Sequence, residues 1–508
     1  MSGVTTLPAL VLEVDGAPLA AEDGRALGAV QVVQRLSLPT LCELVYYDPP
    51  ASSTIADRLQ PGAALRVLFE DGSLPLFVGQ VTAVEHVYGP TAGYEVRVRG
   101  YDLLHRLRKR QPVRAHVQVT VRDLAQELVA DVGLRVQAAE NGPLWPRLYQ
   151  HRQSDLELLV EATELCGLYF TARENELHLC TLAGVESDAP LPLELGASLL
   201  EARLEVNGDP AARSVTATGW NPLRVEVVSE QTEAARSGRA VAAAVLPDLL
   251  GSMGHRELVD ERTPAADHAE GLAQAELDRR WAGEVTLWGV AQGDPRLRPG
   301  AIVEVTGVAA SLAGRYVLTE VTHTIDARRG YLSELSSAPP PPRRRPVGAV
   351  ATLGVVTQVN DPDNLGRIQV RLPTYGDVES DWLGVLAPAG GKGKGLIALP
   401  DVNDHVLVLL THEDPGSGLV LGGLYGMEGP PDSGVENGAV RRYTFLTPGG
   451  QRVQLNDAAN TLRLQNSAGS FVELSPEKVH LHAVTALEIE APGQPIVIRG
   501  QAIDFQKG

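Results

Sequence analysis

Through the last part of the chain apolar residues stand two apart in a long series. The pairs are Val453/Leu455, Leu462/Leu464, Val472/Leu474, Val479/Leu481, Leu487/Ile489, Ile496/Ile498 and Ile503/Phe505. Turn-formers such as Asn456-Asp457, Ser467-Ala468-Gly469 and Pro492-Gly493 fall between them. A period of two is the signature of a strand with one apolar and one polar side. Such a run of short strands cannot enclose a core by itself. It becomes stable if several copies wrap together or if one chain stacks as a solenoid. The run is short, so a one-chain solenoid would be thin. Three intertwined chains are the expected arrangement, an axial prism held by Val472, Leu474, Val479, Leu481, Leu487, Ile489, Ile496 and Ile498 as interface residues. Ile503, Asp504 and Phe505 would form its tip.

Upstream the pattern changes. Residues 1–100 read as a first β-barrel-like domain, with strands such as Ala64–Phe69, Phe77–Val87 and Tyr94–Arg99 and a turn at Asp71-Gly72. Residues 101–194 mix helix and strand. Thr120 followed by Asp123 reads as a helix start with Gly133 ending the run, and Ser154 with Glu157 forms a capping-box pair with Gly167 where a left-handed cap belongs. The stretches Leu168–Thr171 and Leu177–Leu182 predict a hairpin. Residues 195–337 return to strands around one helix from about Pro264 to Trp281. That helix is expected to have Thr263 as N-cap and a stripe of Ala269, Ala273, Leu277 and Trp281.

Four consecutive prolines, three arginines and a further proline mark 338–349 as a linker without a core. Residues 350–427 predict a small OB-fold barrel with strands at Leu353–Val359, Arg367–Leu372, Trp382–Leu386, Gly395–Leu399, His405–Leu410 and Leu419–Leu421. Residues 428–508 are the prism. The fold class is therefore mainly β and multidomain: a hub of β-barrel-like domains with α/β insertions, an OB barrel, and a C-terminal intertwined β-prism or β-helix needle.

Charge and cysteine content narrow the function. The formal net charge is -19 across 508 residues, and the basic run Arg343 to Arg345 lies in the linker. No basic face for nucleic acid is expected. Cys42, Cys166 and Cys180 offer neither a disulfide framework nor close metal-ligand spacing and read as buried thiols. Met1 to Gly16 lacks a basic n-region and an apolar h-region, so synthesis and assembly in the cytoplasm without a Sec signal are expected.

Three stretches resemble the VgrG-type spike proteins of contractile injection systems, relatives of phage baseplate hubs and tail spikes. The first is Tyr149-Gln150-His151-Arg152-Gln153-Ser154-Asp155-Leu156-Glu157-Leu158-Leu159, followed by Cys166-Gly167-Leu168-Tyr169-Phe170. The second runs from Gly366-Arg367-Ile368-Gln369-Val370-Arg371-Leu372 through Trp382 to Leu399-Pro400-Asp401-Val402-Asn403-Asp404-His405, with Asp414-Pro415 and Gly422-Gly423-Leu424-Tyr425. The third is Ile496-Val497-Ile498-Arg499-Gly500-Gln501-Ala502-Ile503-Asp504-Phe505.

The resemblance implies a structural homotrimer that joins an inner tube and baseplate to a membrane-puncturing needle. It also implies a PAAR-type protein on the tip and a particle that can act outside the cell after release. The size is closer to spikes of extracellular phage-tail-like particles than to type VI spikes, and no effector or lysozyme-like extension is visible. A type VI secretion spike and a trimeric polysaccharide-degrading tailspike stand as alternatives.

Candidate chemistry is sparse. In some phage spikes an H-x-H pair from each of three chains binds one iron. His480 and His482 have that spacing, but Val479 and Leu481 take the inward register, so both histidines are expected to face solvent. His405 and His412 flank an apolar strand as surface or turn residues. No G-x-S-x-G elbow is present. The segment Ala389-Gly390-Gly391-Lys392-Gly393-Lys394-Gly395 lacks the Ser or Thr of a phosphate loop. No cofactor, metal or enzymatic activity is expected.

Overall fold

A computed structural model describes residues 8–50, 53–72, 74–89, 93–185, 189–221, 226–251, 254–261, 263–343, 348–427 and 429–506. It divides into two units, Met1–Gly423 and Leu424–Gly508.

Alternating apolar strands build the first unit around an 11-stranded sheet. At its centre Leu27–Arg35 pairs antiparallel with Glu320–Asp326, with Val30 opposite Ile325. The two barrel-like sections, far apart in sequence, therefore share one sheet. Their cores meet as well, because Ile325 and Tyr331 pack into the cluster of Val32, Leu44, Tyr46, Val67 and Val98. A second cluster gathers Leu199, Leu287, Val303, Tyr316, Val321 and Leu335.

Between the two sections in sequence lies the α/β segment. Helix Val121–Val129 opens on a complete Thr120/Asp123 capping box, and helix Asp155–Glu164 on a complete Ser154/Glu157 box. Each box satisfies backbone N–H groups that a helix start leaves without partners. Leu124, Leu128, Leu158 and Leu159 then face a core with Trp145, Phe170 and Leu177. The chain leaves the second helix through Gly167, at φ +69°. A Cβ there would stand 2.6 Å from Arg236 Nη2 and 3.0 Å from Ala275 Cα, so only glycine lets the third helix approach this closely. The hairpin Tyr169–Arg173 and Glu176–Cys180 follows. All three cysteines are buried free thiols.

The third helix differs from its sequence reading. It spans Ala266–Glu284 with Ala265, not Thr263, in the N-cap position. Thr263 is buried close to Gly219 and is not turned back onto the helix start. The linker also begins attached to the hub: Thr319 Oγ1 donates to Ala338 O, and the Arg343 N–H donates to Glu164. Arg344, Arg345 and Pro346 lie outside the described residues.

The barrel is a six-stranded sheet in the order Val378–Glu379, Gln369–Leu372, Ala349–Gln358, His405–Thr411, Gly418–Leu424, Gly384–Val385. A bridge between Ile368 and Leu383 joins its two edges and closes it around Val356, Val370, Val406, Val408 and Val420. The strand expected at Gly395–Leu399 is absent. The glycine-rich stretch before it forms an exposed loop, and Gly384–Val385 takes the edge place beside Gly418–Leu424. The barrel sits on the α/β segment. Arg147 donates to Ser380 O, Tyr149 to Glu379 O, and Val113 lies against Gly376.

Candidate functional site

The second unit is built on a five-stranded antiparallel meander: Arg442–Leu446, Arg452–Asn456, Thr461–Gln465, Phe471–Leu474 and Val479–His482. Its register sorts the side chains. Tyr443 lies opposite Leu455 and Phe445 opposite Val453. Leu455 in turn faces Leu462, and Val453 faces Leu464. Leu462 pairs with Leu474 and Leu464 with Val472; Leu474 pairs with Val479 and Val472 with Leu481. One face is thus an unbroken apolar surface five strands wide.

None of these side chains is buried. Val479 and Leu481 are 72% and 52% exposed. A sheet in water normally covers such a face with another layer. A contiguous exposed apolar surface of this size marks a place of association.

The opposite face is polar and internally paired. Arg463 donates to Glu473 at 3.1 Å, and its guanidinium lies 4.0 Å from the centre of the Phe471 ring. His482 stacks on Phe471 and His480 meets it edge-on, both with centroids 5.0 Å away. His480 and His482 therefore stand on the side away from Leu481, with Phe471 and Glu473 as cross-strand partners. Among the described residues no group of His, Cys, Asp and Glu is arranged to hold a metal ion. At the head of the sheet Arg442 bridges Asp432 and Glu436. The pairing with Arg442 holds the Asp432 carboxyl down at about 2.

Beyond His482 the expected strands at Leu487/Ile489, Ile496/Ile498 and Ile503/Phe505 do not form within the chain. Residues 483–506 are described without a strand, and Leu487, Ile489, Ile496, Ile498, Ile503 and Phe505 are all exposed. An extended segment becomes a strand only when a neighbour accepts its backbone hydrogen bonds. The single chain supplies no such neighbour here. Asp504 is likewise exposed.

The sequence reading missed the first strand of the sheet. Its signal was the pair Tyr443/Phe445, spaced by two like the pairs that follow.

A family profile described as the type VI secretion system/phage-baseplate injector OB domain matches residues 352–425. A second, described as the Alg8 N-terminal domain, matches residues 51–327, more than half of the chain. No curated protein sequence matches. Among solved structures, the fold is similar to the E. coli c3393 protein, a type VI secretion component described as structurally similar to T4 tail proteins gp27 and gp5. That similarity has a TM-score of 0.54 at 13% identity, over 81% of this chain and 99% of that one. A chain of the Francisella PdpA-VgrG complex aligns at TM-score 0.55 and 9% identity, over 94% of this chain and 88% of that one. The 43 kDa tail protein of prophage MuSo2 from Shewanella oneidensis aligns at 0.50 and 16%, over 65% of this chain and 97% of that one.

Proposed function

The chain belongs to the family of the Alg8 N-terminal domain, and from the match of its barrel to the injector OB domain we propose that it is the central hub and spike of a contractile injection system, working as a homotrimer. The observation that carries this reading is the uncovered apolar face of the needle sheet. Three copies around one axis turn that face into a shared core. The same arrangement supplies strand neighbours to residues 483–506 from other chains.

The role is mechanical. Three hubs form a ring that meets the inner tube and baseplate, three barrels form a neck, and the needle transmits force to its tip. Intertwined strands suit this load, because no chain can unfold without breaking ladders to its neighbours. A PAAR-type protein caps the exposed end at Ile503, Asp504 and Phe505. The particle is assembled in the cytoplasm, and the spike punctures the target membrane without chemistry of its own.

Light scattering on the purified chain tests the assembly. A mass of three times 54.1 kDa is expected. A folded monomer would overturn the proposal and favour a self-closed solenoid, the architecture of a polysaccharide-degrading tailspike. Neighbouring genes for sheath, tube and tail-fibre proteins would assign the spike to an extracellular particle. Genes for the membrane complex of a type VI system would assign it there.

A further inference from the structure

The hub contains a buried cationic site that the mechanical role does not use. Arg213 and Arg239 flank the Trp281 ring, their guanidinium carbons 5.0 and 5.1 Å from its centroid. The carboxylate between them belongs to Glu284 and is 1% exposed. Glu284 takes a 2.5 Å hydrogen bond from Arg213. Arg239, only 8% exposed, is 3.6 Å away, too far for a strong bond. The partly exposed Arg213 and the buried Arg239 thus share one buried carboxylate, and Arg213 holds it more closely. Burial disfavours the charge on Arg239.

Arg239 lines a small cavity together with Leu182, Ser237, Ala282, Tyr316, Thr319 and Ser337. The cavity volume is about 10 Å³, room for one small occupant. Its polar wall is rich in donors. Arg239 Nη1 is buried without a hydrogen-bond partner among the described residues. The Ser237 hydroxyl oxygen accepts the Arg239 N–H, and the Ser337 oxygen accepts the Leu287 N–H, which leaves both hydroxyl protons to donate. Thr319 already donates to the carbonyls of Ser336 and Ala338. Gly238 brings the loop this close: a Cβ there would stand 2.3 Å from Ala183 O and 2.6 Å from Val317.

We propose that this cavity binds a single monovalent anion of halide size, chloride under ordinary conditions, held by Arg239 Nη1 with the Ser237 and Ser337 hydroxyls. A buried donor is costly when it is left without an acceptor, and Arg239 Nη1 is one that Glu284 does not reach. The anion supplies that acceptor. Its place also matters. Ser337 directly follows the last hub strand, Gly330–Ser336, and Ala338 starts the linker to the barrel, so the anion fixes the point where force leaves the hub. The site is independent of the assembly proposed above.

The test is bromide. Crystals of the full chain are soaked in bromide and read by anomalous scattering. In parallel, thermal unfolding is compared in sodium chloride and sodium gluconate at equal ionic strength. An anomalous peak within hydrogen-bond distance of Arg239 Nη1 is expected, with a chloride-dependent rise of a few degrees in the hub transition. Both should disappear in Arg239→Met. Should that variant fail to fold, Ser237→Ala is expected to weaken the chloride response while the hub stays folded. A site filled by water, with no anomalous signal and a midpoint indifferent to the anion, would overturn the proposal.

Discussion

Leu481 is the cross-strand partner of Val472, and both side chains point to a face that no part of their own sheet covers. His480, one residue earlier, points the other way, toward Phe471 and Glu473.

This alternation gives a paired test. Leu481→Asp would place three like charges at one axis of the proposed trimer, an arrangement that buries uncompensated carboxylates. His480→Asp changes the polar face. Light scattering should find Leu481→Asp at the mass of a single chain with a folded hub, and His480→Asp at the mass of three. Equal masses for both variants would contradict the inward register.

Residues 487–498 carry no strand within one chain. In the assembled protein their amides are expected to exchange slowly, as ladder amides do. In Leu481→Asp they should exchange at the rate of an open chain. Hydrogen exchange read by mass spectrometry resolves this segment directly.

The barrel has its own clamp. Asp361 accepts two hydrogen bonds from the Arg367 guanidinium, at 2.6 and 3.0 Å, and the N–H groups of Asp363 and Leu365. Hydrogen bonds from this guanidinium hold the Asp361 carboxyl far below the usual carboxylate range. Asp363 meets the same guanidinium from an exposed position. Asp361→Asn should cost about 2–4 kcal/mol by leaving the buried Arg367 cation only the exposed Asp363 carboxylate as partner, and Asp363→Asn less than about 1 kcal/mol. Denaturant titration of the barrel transition checks the ranking.

Two buried hub groups set opposite pH slopes. His323 accepts at Nδ1 from Ser333, and its Nε2 donates to Leu297 O. Burial lowers its pKa to about 4. The unfolded chain, with an ordinary histidine near ~6.5, binds the extra proton between those values, so this group removes stability as pH falls from ~6.5 to about 4. His105, also lowered to about 4 by burial, acts in the same direction. Burial raises Asp102 to about 6, against the hydrogen bonds it accepts from Thr40 and Leu104. There the folded state binds the extra proton, and stability is lost as pH rises through about 6. Asp102→Asn should unmask the histidines, with the hub losing on the order of 5 kcal/mol between pH 6.5 and 4, roughly half from each. His323→Gln should shrink that loss. Unfolding midpoints at the two pH values decide.

Much of the fold was legible because it is local. The helix start at Thr120/Asp123 and the capping box at Ser154/Glu157 formed as read, since a stretch of four residues contains each interaction. Gly167 was identifiable as a helix end for the same reason. Thr263 was misread, because a threonine before a helix caps it only when its side chain is free to turn back, and this one is buried. The strand expected at Gly395–Leu399 did not form, and Gly384–Val385 holds the edge beside Gly418–Leu424, a pairing that no local pattern records. The Arg239 cavity left no trace in the sequence at all. Its walls come from Leu182, Ser237, Tyr316 and Ser337, which lie in separate segments of the hub.

By itself the sequence determined the two-residue rhythm of the C-terminal sheet and the side on which Leu481 and His480 fall. These follow from strand geometry and turn chemistry, which act over a few residues. Only the tertiary structure decided that Leu27–Arg35 pairs with Glu320–Asp326 to make one hub sheet of two distant sections. It alone brought Arg213, Arg239 and Glu284 together around Trp281, and it alone left the apolar face of the needle uncovered. The reason is physical. Which strand finds which edge, and which charge is desolvated beside which, depend on the free energy of the whole packed chain and not on any one segment.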